Sequence, residues 1–291
     1  MPAPLLVVDT PSMLYRAFFA LPKQIKGTLG GKEERVPVNA LLGSANLILR
    51  EVEIHKPRAV VICFGAEAAK YRKKLYPPYH AERPEMPEEL VPQWADAPNF
   101  FKAFDWTVAQ HKSLEADDLL GSYAELETEA GGETLLFTGD RDMYQCANDS
   151  VTVLYVRTGG KGAERVTPGE VRKRYGIDPA QVPDFIALRG DPSDGLPGAK
   201  GVGEKTAAEL LREHGSLETL LENAIREKKP KLRTTLIESA EELLKFKDVA
   251  TLRDAEIERP ADTPTNWTGA SKAADKRGMG KLAERLAGFA E

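Results

Sequence analysis

Short apolar runs alternate with stretches of helical periodicity in the first half of the chain. Four runs are continuously apolar and are predicted to be strands, at residues 5–8, 59–64, 134–139 and 151–156. Apolar residues at helical spacing follow the first run, over residues 38–54. Buried strands separated by helices are typical of a parallel sheet covered on both faces. The pattern therefore predicts an α/β fold with a mostly parallel central sheet flanked by helices.

The second half of the chain changes to short helical patterns. They are predicted at residues 168–175, 179–188, 204–214, 217–223, 232–246 and 280–287. Before them, the basic run 70–74 is followed by five prolines that exclude a long helix. That stretch exceeds a plain strand-to-helix connection, so we expect an arch over the strand ends at about residues 66–103. We divide the chain into a core (1–185), a helical module (186–250) and a C-terminal loop with a closing helix (251–291).

Composition narrows the class of protein. The 291 residues carry 45 acidic and 40 basic side chains, a formal net charge of −5, which argues against a broadly basic nucleic-acid coat. The two cysteines, Cys63 and Cys146, cannot form a disulfide framework. No apolar run approaches the roughly 18 residues of a membrane helix, and the start lacks a basic signal-peptide region. We therefore expect a cytoplasmic protein that does not bind membranes.

Acidic residues stand where the predicted elements end or begin. In a parallel sheet the functional edge lies beyond the carboxyl ends of the strands. Eight carboxylates could converge there: Asp9, Glu115, Asp117, Asp118, Asp140, Asp142, Asp191 and Asp194. Such crowded charges repel, so the arrangement makes sense if divalent cations occupy it. Oxygen ligands without cysteine favour Mg²⁺ or Mn²⁺ over Zn²⁺, which indicates phosphoryl transfer assisted by two or more ions.

Each group of acids also has an ordinary structural explanation. Acids that open a helix, as at residues 115–118, are often caps or partners of the helix dipole. Asp191 and Asp194 stand beside Pro192 and Gly195, as turn residues do. Four independent placements at one predicted sheet edge nevertheless favour a metal site.

A glycine hairpin precedes the predicted helix 204–214. Gly198, Gly201 and Gly203 would let backbone N–H groups approach a phosphate at a helix N-terminus. The GxxxxGK[ST] spacing of a P-loop is absent, because Glu204 follows Gly203. A helix–hairpin–helix that grips a nucleic-acid backbone fits better, and a plain connection between two helices is the alternative.

Two basic segments stand out against the acidic total. Tyr71 lies within the basic run 70–74, and Tyr76 and Tyr79 follow it, an interleaving that suits stacking on single-stranded nucleic acid. For residues 226–233 a solvated helix face is the favoured explanation.

Together these motifs resemble the bacterial 5′-nuclease or flap-endonuclease family, which includes the N-terminal nuclease domain of DNA polymerase I. The matching segments are residues 8–9, 115–118, 138–142 and 190–198, and the resemblance covers about residues 5–250. It implies a PIN-like nuclease core, a helical arch threaded by a 5′ single strand, and a helix–three-turn–helix module that holds duplex DNA. Since no polymerase domain follows, the chain looks like a free-standing, monomeric member.

The resemblance also implies roles for individual residues. Asp9, Glu115 and Asp117 would hold the first metal. The second metal would be held by Asp117, Asp140, Asp142 and Asp194, with Asp118 and Asp191 nearby or bound through water. At the scissile phosphate and the 5′ strand the resemblance places Arg72, His80 and Arg83. The implied DNA contacts are Lys70, Tyr71, Lys73, Tyr79, Lys200, Gly201, Gly203, Lys205 and Thr206, and K⁺ is a further candidate ion at the glycine hairpin.

Two positions depart from the family pattern. Gly65 stands where members usually carry an aspartate at the end of the second strand, which removes a ligand from the first metal. His80 stands where members usually carry lysine, so the positive charge there depends on pH.

These observations lead to one main expectation and two alternatives. We expect a divalent-metal-dependent 5′-nuclease on branched or 5′-ended DNA that leaves a 5′-phosphate and a 3′-hydroxyl. Its setting would be removal of flaps or RNA primers in replication and repair, in association with a separate DNA polymerase. Gly65 motivates the alternative of a structure-specific DNA-binding protein with weak or no nuclease activity. A metal-dependent phosphatase is disfavoured, because strand one lacks an Asp-x-Asp and the glycine hairpin is present.

Overall fold

A six-stranded sheet organises the chain, whose computed structural model describes residues 3–31, 34–157 and 162–290. The strand order is β5-β4-β1-β6-β7-β8, and every pairing is parallel except that of the edge strand β8 with β7. A separate antiparallel hairpin is formed by β2 and β3. The strands are β1 (Leu5–Asp9), β2 (Lys26–Thr28), β3 (Arg35–Pro37), β4 (Ala59–Phe64), β5 (Thr107–Gln110), β6 (Thr134–Thr138), β7 (Val151–Val156) and β8 (Ala163–Val166).

Thirteen α-helices are present in the described ranges. They are α1 (Thr10–Ala20), α2 (Asn39–His55), α3 (Lys70–Leu75), α4 (Val91–Lys102), α5 (Ala116–Glu129), α6 (Pro168–Tyr175), α7 (Val182–Arg189), α8 (Glu204–His214), α9 (Leu217–Glu222), α10 (Pro230–Glu238), α11 (Ala240–Ala250), α12 (Trp267–Lys276) and α13 (Gly280–Ala287). Short 3-10 helices lie at Asp142–Cys146, Pro179–Gln181 and Ala224–Arg226. Of the helices so described, none has the length and apolar character needed to span a membrane.

The sheet separates two hydrophobic clusters, because successive side chains of a strand point to opposite faces. Leu5 and Val7 belong to the first cluster, which continues into the helical residues of α7, α8 and α11. Leu6 and Val8 belong to the second cluster, which is covered by α1, α2, α4, α12 and α13. The prediction of a mostly parallel sheet flanked by helices and followed by a helical region is confirmed. The domain boundaries stay a prediction.

The structure departs from the predicted elements at four places. The single helix predicted at residues 232–246 is two helices, α10 and α11, which meet at Ser239. The hairpin β2–β3 and the edge strand β8 were not predicted. Helix α12 lies in a segment predicted as loop, because its buried face is made of alanines (Ala270, Ala273 and Ala274) that give little apolar signal.

The predicted arch is built from short pieces. Helix α3 ends at Leu75, turns occupy residues 77–82, and α4 begins with Pro92 in its first turn, where proline is tolerated. Helix α4, which the sequence assigns to the arch, also packs Phe100 and Phe101 into the second cluster.

Residues 251–266 form an extended segment that we call the C-terminal strap. It leaves α11, crosses α5 and ends at α12. The backbone N–H of Arg253 donates to Asp118 Oδ1 at 2.9 Å, and that of Ala255 donates to Ser122 Oγ at 2.8 Å. Further on, Thr263 N–H donates to the carbonyl of Arg58 at 2.9 Å. The strap therefore connects the helical module to the far face of the sheet.

Candidate functional site

Six of the eight predicted carboxylates line one cavity of about 1090 Å³ at the carboxyl ends of the strands. They come from the ends of β1 and β6, the first turn of α5 and the loop after α7: Asp9, Glu115, Asp117, Asp140, Asp142 and Asp194. The topology explains this convergence, because β1 lies between β4 and β6 in the parallel sheet. In the described part of the chain, no three acidic, histidine or cysteine side chains are preassembled as a metal-ligand set.

Asp9 is fixed at the junction of β1 and α1. Its Oδ1 accepts the Ser12 backbone N–H at 3.1 Å, so the carboxylate caps α1, and its Oδ2 accepts the Thr138 hydroxyl at 2.7 Å. Burial raises the pKa of Asp9, and these hydrogen bonds oppose the rise. The side chain is held rigidly and carries a charge that burial disfavours.

Asp140 and Asp142 were expected to point the same way along an extended chain. Instead, Asp142 opens a 3-10 helix and its N–H donates to Asp140 Oδ1 at 2.8 Å. Both still line the cavity. Burial, with the neighbouring carboxylates of Asp194 and Asp9, raises the pKa of Asp140 to about 6. Burial and the Asp140 carboxylate raise the pKa of Asp142 well above its ordinary value.

The start of α5 combines a structural cap with site residues. Glu115 and Asp118 form a capping box, in which Asp118 Oδ2 accepts the Glu115 N–H at 2.9 Å. Between them, Asp117 turns into the cavity, where burial and the carboxylates of Asp9 and Asp140 raise its pKa well above the ordinary value. Glu115 and Asp118 therefore cap the helix, whereas Asp117 faces the cavity in which a metal would bind.

Asp118, predicted to lie near the second metal or to bind it through water, is engaged by the protein itself. Its side chain is fully buried and lies outside the cavity lining. Its two oxygens accept five donors, from Arg72 (two), Tyr71 O–H, Glu115 N–H and Arg253 N–H. Asp118 therefore fixes the start of α5, and its role at the metal stays a prediction.

Asp191 combines a turn contact with a position near the site. Its Oδ1 accepts the N–H and hydroxyl of Ser193, and its backbone pairs with Leu196. It lies outside the residues that line the cavity, whereas Asp194 lines it. The Asp191 carboxylate nevertheless contributes to the raised pKa values of Asp140 and Asp142, and its predicted role near the second metal stays a prediction.

The arch contributes His80 and Arg83 to the same cavity. His80 Nε2 lies 2.9 Å from Asp194 Oδ1, and its Nδ1 lies 3.2 Å from the Glu67 carbonyl. The exposed Arg83 contacts the Tyr15 ring at 5.9 Å. His80 and Arg83 therefore line the same cavity as the six carboxylates, and their predicted roles at the phosphate stay a prediction.

Three other arch residues that were predicted to contact the substrate interact with side chains of the protein itself. Tyr79 is buried; its O–H donates to Glu115 Oε2 at 3.0 Å, and its ring stacks on His80 at 4.0 Å. Arg72 is buried and paired with Asp118 at 2.8 Å. The half-buried Tyr71 ring lies near two guanidinium groups, those of Arg72 and Arg253. Arg72 and Tyr79 also line the cavity. The predicted contacts of these side chains with the substrate stay a prediction.

The remaining basic arch residues, Lys70 and Lys73, are exposed on α3. They lie outside the cavity lining, on the outer surface of the arch. Their predicted contact with DNA stays a prediction.

Sequence reasoning missed Arg16 and Tyr15, which line the cavity from α1. Arg16 Nε is buried and has no hydrogen-bond partner among the described residues. The available signal was spacing, because Arg16 follows Asp9 by seven residues and so returns to the same face of α1.

The glycine hairpin lies on the surface, away from the cavity lining. Lys200, Gly201, Gly203 and Lys205 are exposed, and Thr206 is half-buried. Gly201 has φ +80°, which favours glycine, whereas Gly203 has φ −94° and would meet no atom within 4 Å if it carried a Cβ. Open backbone at Gly203 is what close approach of a nucleic-acid backbone requires.

Two family models match the chain in succession. The 5'-3' exonuclease N-terminal resolvase-like domain matches residues 4–176, and the 5'-3' exonuclease C-terminal SAM fold matches residues 177–270. DNA polymerase I of Mycobacterium tuberculosis is 40% identical over 219 residues, which cover 75% of this chain and 24% of that protein. The chain thus spans about a quarter of the length of this relative.

Solved structures share the fold over nearly the whole chain. A bacteriophage T5 flap endonuclease, in a pseudo-enzyme-product complex with DNA and metal ions, has a TM-score of 0.69 at 18% identity and covers 99% of both chains. The catalytic core of Rad2 in complex with DNA substrate has a TM-score of 0.63 at 14% identity, covering 98% of this chain and 92% of that one. At these identities the likeness concerns the fold.

Proposed function

We propose a DNA nuclease activity for this chain, and the premise is its family: the chain belongs to the 5'-3' exonuclease family. The proposed reaction is metal-dependent hydrolysis of phosphodiesters in branched or 5′-ended DNA, leaving a 5′-phosphate and a 3′-hydroxyl. The observation that carries it is the single cavity in which six carboxylates from four parts of the chain converge beneath His80 and Arg83.

The carboxylates suit divalent metal ions. Burial and neighbouring carboxylates raise the pKa values of Asp117, Asp140 and Asp142, which shows that ionising these groups together is unfavourable in the cavity without a cation. A divalent ion would offset this cost. Oxygen donors favour Mg²⁺ or Mn²⁺. Asp9, Glu115 and Asp117 would hold one ion, and a second would be held by Asp117, Asp140, Asp142 and Asp194. Such ions supply Lewis-acid activation of water and of the phosphodiester.

The protein's own side chains would orient the substrate. His80 and Arg83 face the cavity above Asp194, where they would hold the scissile phosphate. Lys70 and Lys73 would attract the 5′ strand along the arch.

The glycine hairpin would hold the duplex. Lys200 and Lys205 offer charge, Thr206 offers a hydroxyl, and the backbone at Gly201 and Gly203 is open to a phosphate. K⁺ at this hairpin, RNA primers as substrates, a monomeric state and a partner DNA polymerase belong to the same proposal.

The test is cleavage of a 5′-labelled flap, titrated separately with Mg²⁺ and Mn²⁺, for the wild type and Asp140→Asn. We expect cutting near the junction by the wild type, and a loss of about 10³-fold or more in the variant because a metal ligand is removed. Flap binding measured by mobility shift in Ca²⁺ should be kept. Cleavage by Asp140→Asn at near wild-type rate would refute the proposal.

Gly65 favours a second candidate, a structure-specific DNA-binding protein with weak or no nuclease activity. A carboxylate is absent from the end of β4, where Gly65 faces the start of α5. Tight flap binding in Ca²⁺ without cleavage in Mg²⁺ or Mn²⁺ would select this candidate.

A further inference from the structure

The Glu115 carboxylate is held mainly by donors from the arch. We call residues 69–79 the arch base. Ala69 N–H donates to Oε1 at 2.6 Å, Arg72 Nη1 lies 3.2 Å from Oε1, and Tyr79 O–H donates to Oε2 at 3.0 Å. The backbone N–H of Asp118 donates to the same carboxylate within the capping box. Glu115 lines the cavity, so these donors set the direction in which its carboxylate faces that space.

Arg72 joins three elements at this point. Its two Nη atoms donate to Asp118 at 2.9 and 2.8 Å, a bidentate pair at the start of α5. Its Nε donates to the Val249 carbonyl at 2.9 Å, at the C-terminal end of α11, where a cation is favoured. With Glu115 beside it, the buried guanidinium has partners inside the protein for four of its five N–H groups.

We propose that Arg72 is a positioning residue: together with Tyr79 it orients the Glu115 carboxylate for a divalent ion, so that an ordered arch base sets the affinity of the first metal. This inference rests on the proposed function, in which Glu115 is a metal ligand. The physical basis is that ligating carboxylates are oriented by hydrogen bonds from neighbouring residues, whose loss weakens metal binding. Arg72 then acts on the metal through Glu115 and Asp118, and makes no contact with the scissile phosphate.

The test measures Mn²⁺ binding without DNA, by electron paramagnetic resonance of free Mn²⁺. Two mild variants keep the fold testable: Tyr79→Phe removes only one donor to Glu115, and Arg72→Lys keeps the charge but cannot make the bidentate pair. The matched control is Lys74→Gln, which removes an exposed arch charge two residues from Arg72. Thermal unfolding of each protein checks the fold.

We expect Tyr79→Phe and Arg72→Lys to raise the Mn²⁺ dissociation constant about tenfold, while Lys74→Gln leaves it unchanged. Flap binding in Ca²⁺ should stay within about threefold of wild type, and excess Mn²⁺ should restore much of the cleavage rate. A merely structural role would not be rescued by the metal.

Two outcomes overturn the inference, and they are distinguishable. If the wild type binds Mn²⁺ and both variants bind it equally well, while their flap affinity falls, Arg72 and Tyr79 contact the substrate and the positioning role is wrong. If the wild type neither binds Mn²⁺ nor cuts the flap, the proposed function fails and the positioning role fails with it.

Discussion

Gly65, the residue after β4, lies against the backbone at the start of α5. A Cβ added there would stand 2.3 Å from both Ala116 N and the Glu115 carbonyl carbon, distances that real Cβ atoms do not show. Backbone atoms therefore occupy the space that a carboxylate would need. The sequence suggests a missing metal ligand at this position, and the structure adds that the position is closed.

Gly65→Asp should therefore lower stability, and it should not raise activity. Overpacking at a closed position costs about 1–3 kcal/mol, and each kcal/mol lowers the Tm of a protein of roughly this size by about 2–4 °C. Thermal unfolding and flap cleavage would be measured on the same preparations. The matched control is Gly280→Ala, whose added Cβ meets no atom within 4 Å. A faster nuclease with an unchanged Tm would contradict this argument.

His80 stands where a permanent positive charge would serve the proposed reaction better. Its imidazole lies 2.9 Å from Asp194 in the cavity, and an imidazole is charged only part of the time near neutral pH. His80→Lys supplies a permanent cation at the same position, so we expect a rate increase of roughly tenfold above pH 7. Single-turnover flap cleavage from pH 6 to 9 measures it. An unchanged rate at every pH would make the histidine incidental.

Among the elements, α12 and α13 are anchored by a buried ion pair. Arg277, between the two helices, donates through Nη2 to Asp96 Oδ1 of α4 at 3.1 Å and lies over the Phe100 ring at 5.0 Å. Its Nη1 also donates to the Ala273 carbonyl at 2.9 Å. The closing helices are therefore held by charge as well as by apolar contact.

Arg277→Ala should destabilise the protein by about 3–5 kcal/mol, because it leaves the Asp96 carboxylate buried without a partner. Urea unfolding followed by circular dichroism measures this. The neighbouring exposed Lys276→Ala should change the free energy of unfolding by less than about 0.5 kcal/mol. A loss below about 1 kcal/mol for Arg277→Ala would show that the pair contributes little.

The elements differ in how much of them the sequence could predict. β4, α8 and α13 were predicted with their observed bounds, because apolar periodicity and flanking glycines mark them. The division of residues 232–246 at Ser239 was missed, since it breaks no apolar pattern. α12 was missed because alanine packing depends on the partner helix and leaves little trace in the sequence.

For the whole molecule, the crowded cavity makes stability depend on pH when metal is absent. Folding raises the pKa of Asp140 from 3.8 to about 6, so the folded protein holds a proton that the unfolded chain releases. The stability from this group is present below about pH 4 and is lost as pH rises through about 6. Asp117 and Asp142 shift in the same direction.

In the presence of a metal chelator, the Tm of the wild type should therefore be lower at pH 8 than at pH 5. Asp140→Asn should reduce this difference in Tm by a few degrees. Mn²⁺ should raise the wild-type Tm at pH 8 by binding the folded state. Thermal unfolding over this pH range, with and without Mn²⁺, gives the result, and the exposed Glu129→Gln serves as control. If the difference in Tm between the wild type and Asp140→Asn were the same at every pH, Asp140 would not be the source of the pH dependence.

The sequence predicted where the site lies in the fold, but it did not predict which side chains of the site are hydrogen-bonded to one another. Strand ends placed Asp9 and Asp140 correctly, because parallel topology follows from the apolar pattern. The burial of Arg72 and Asp118 could not be predicted, since it depends on where α11 and the C-terminal strap dock. Arg16 required knowing that α1 begins directly after Asp9.

The position of α12 and α13 also bears on how the chain is synthesised. These helices pack on the cluster that contains Leu6 and Val8 of the sheet and Phe100 and Phe104. Nearby, Thr28 Oγ1 donates to the carbonyl of Lys276, which is 248 residues away in the sequence. Contacts between residues so distant in sequence form late in folding, because the chain loses the entropy of loop closure before the contact contributes any stabilising free energy. A nascent chain that has reached α11 therefore still exposes the part of this apolar face that α12 and α13 cover, and is open to aggregation until those helices have emerged from the ribosome.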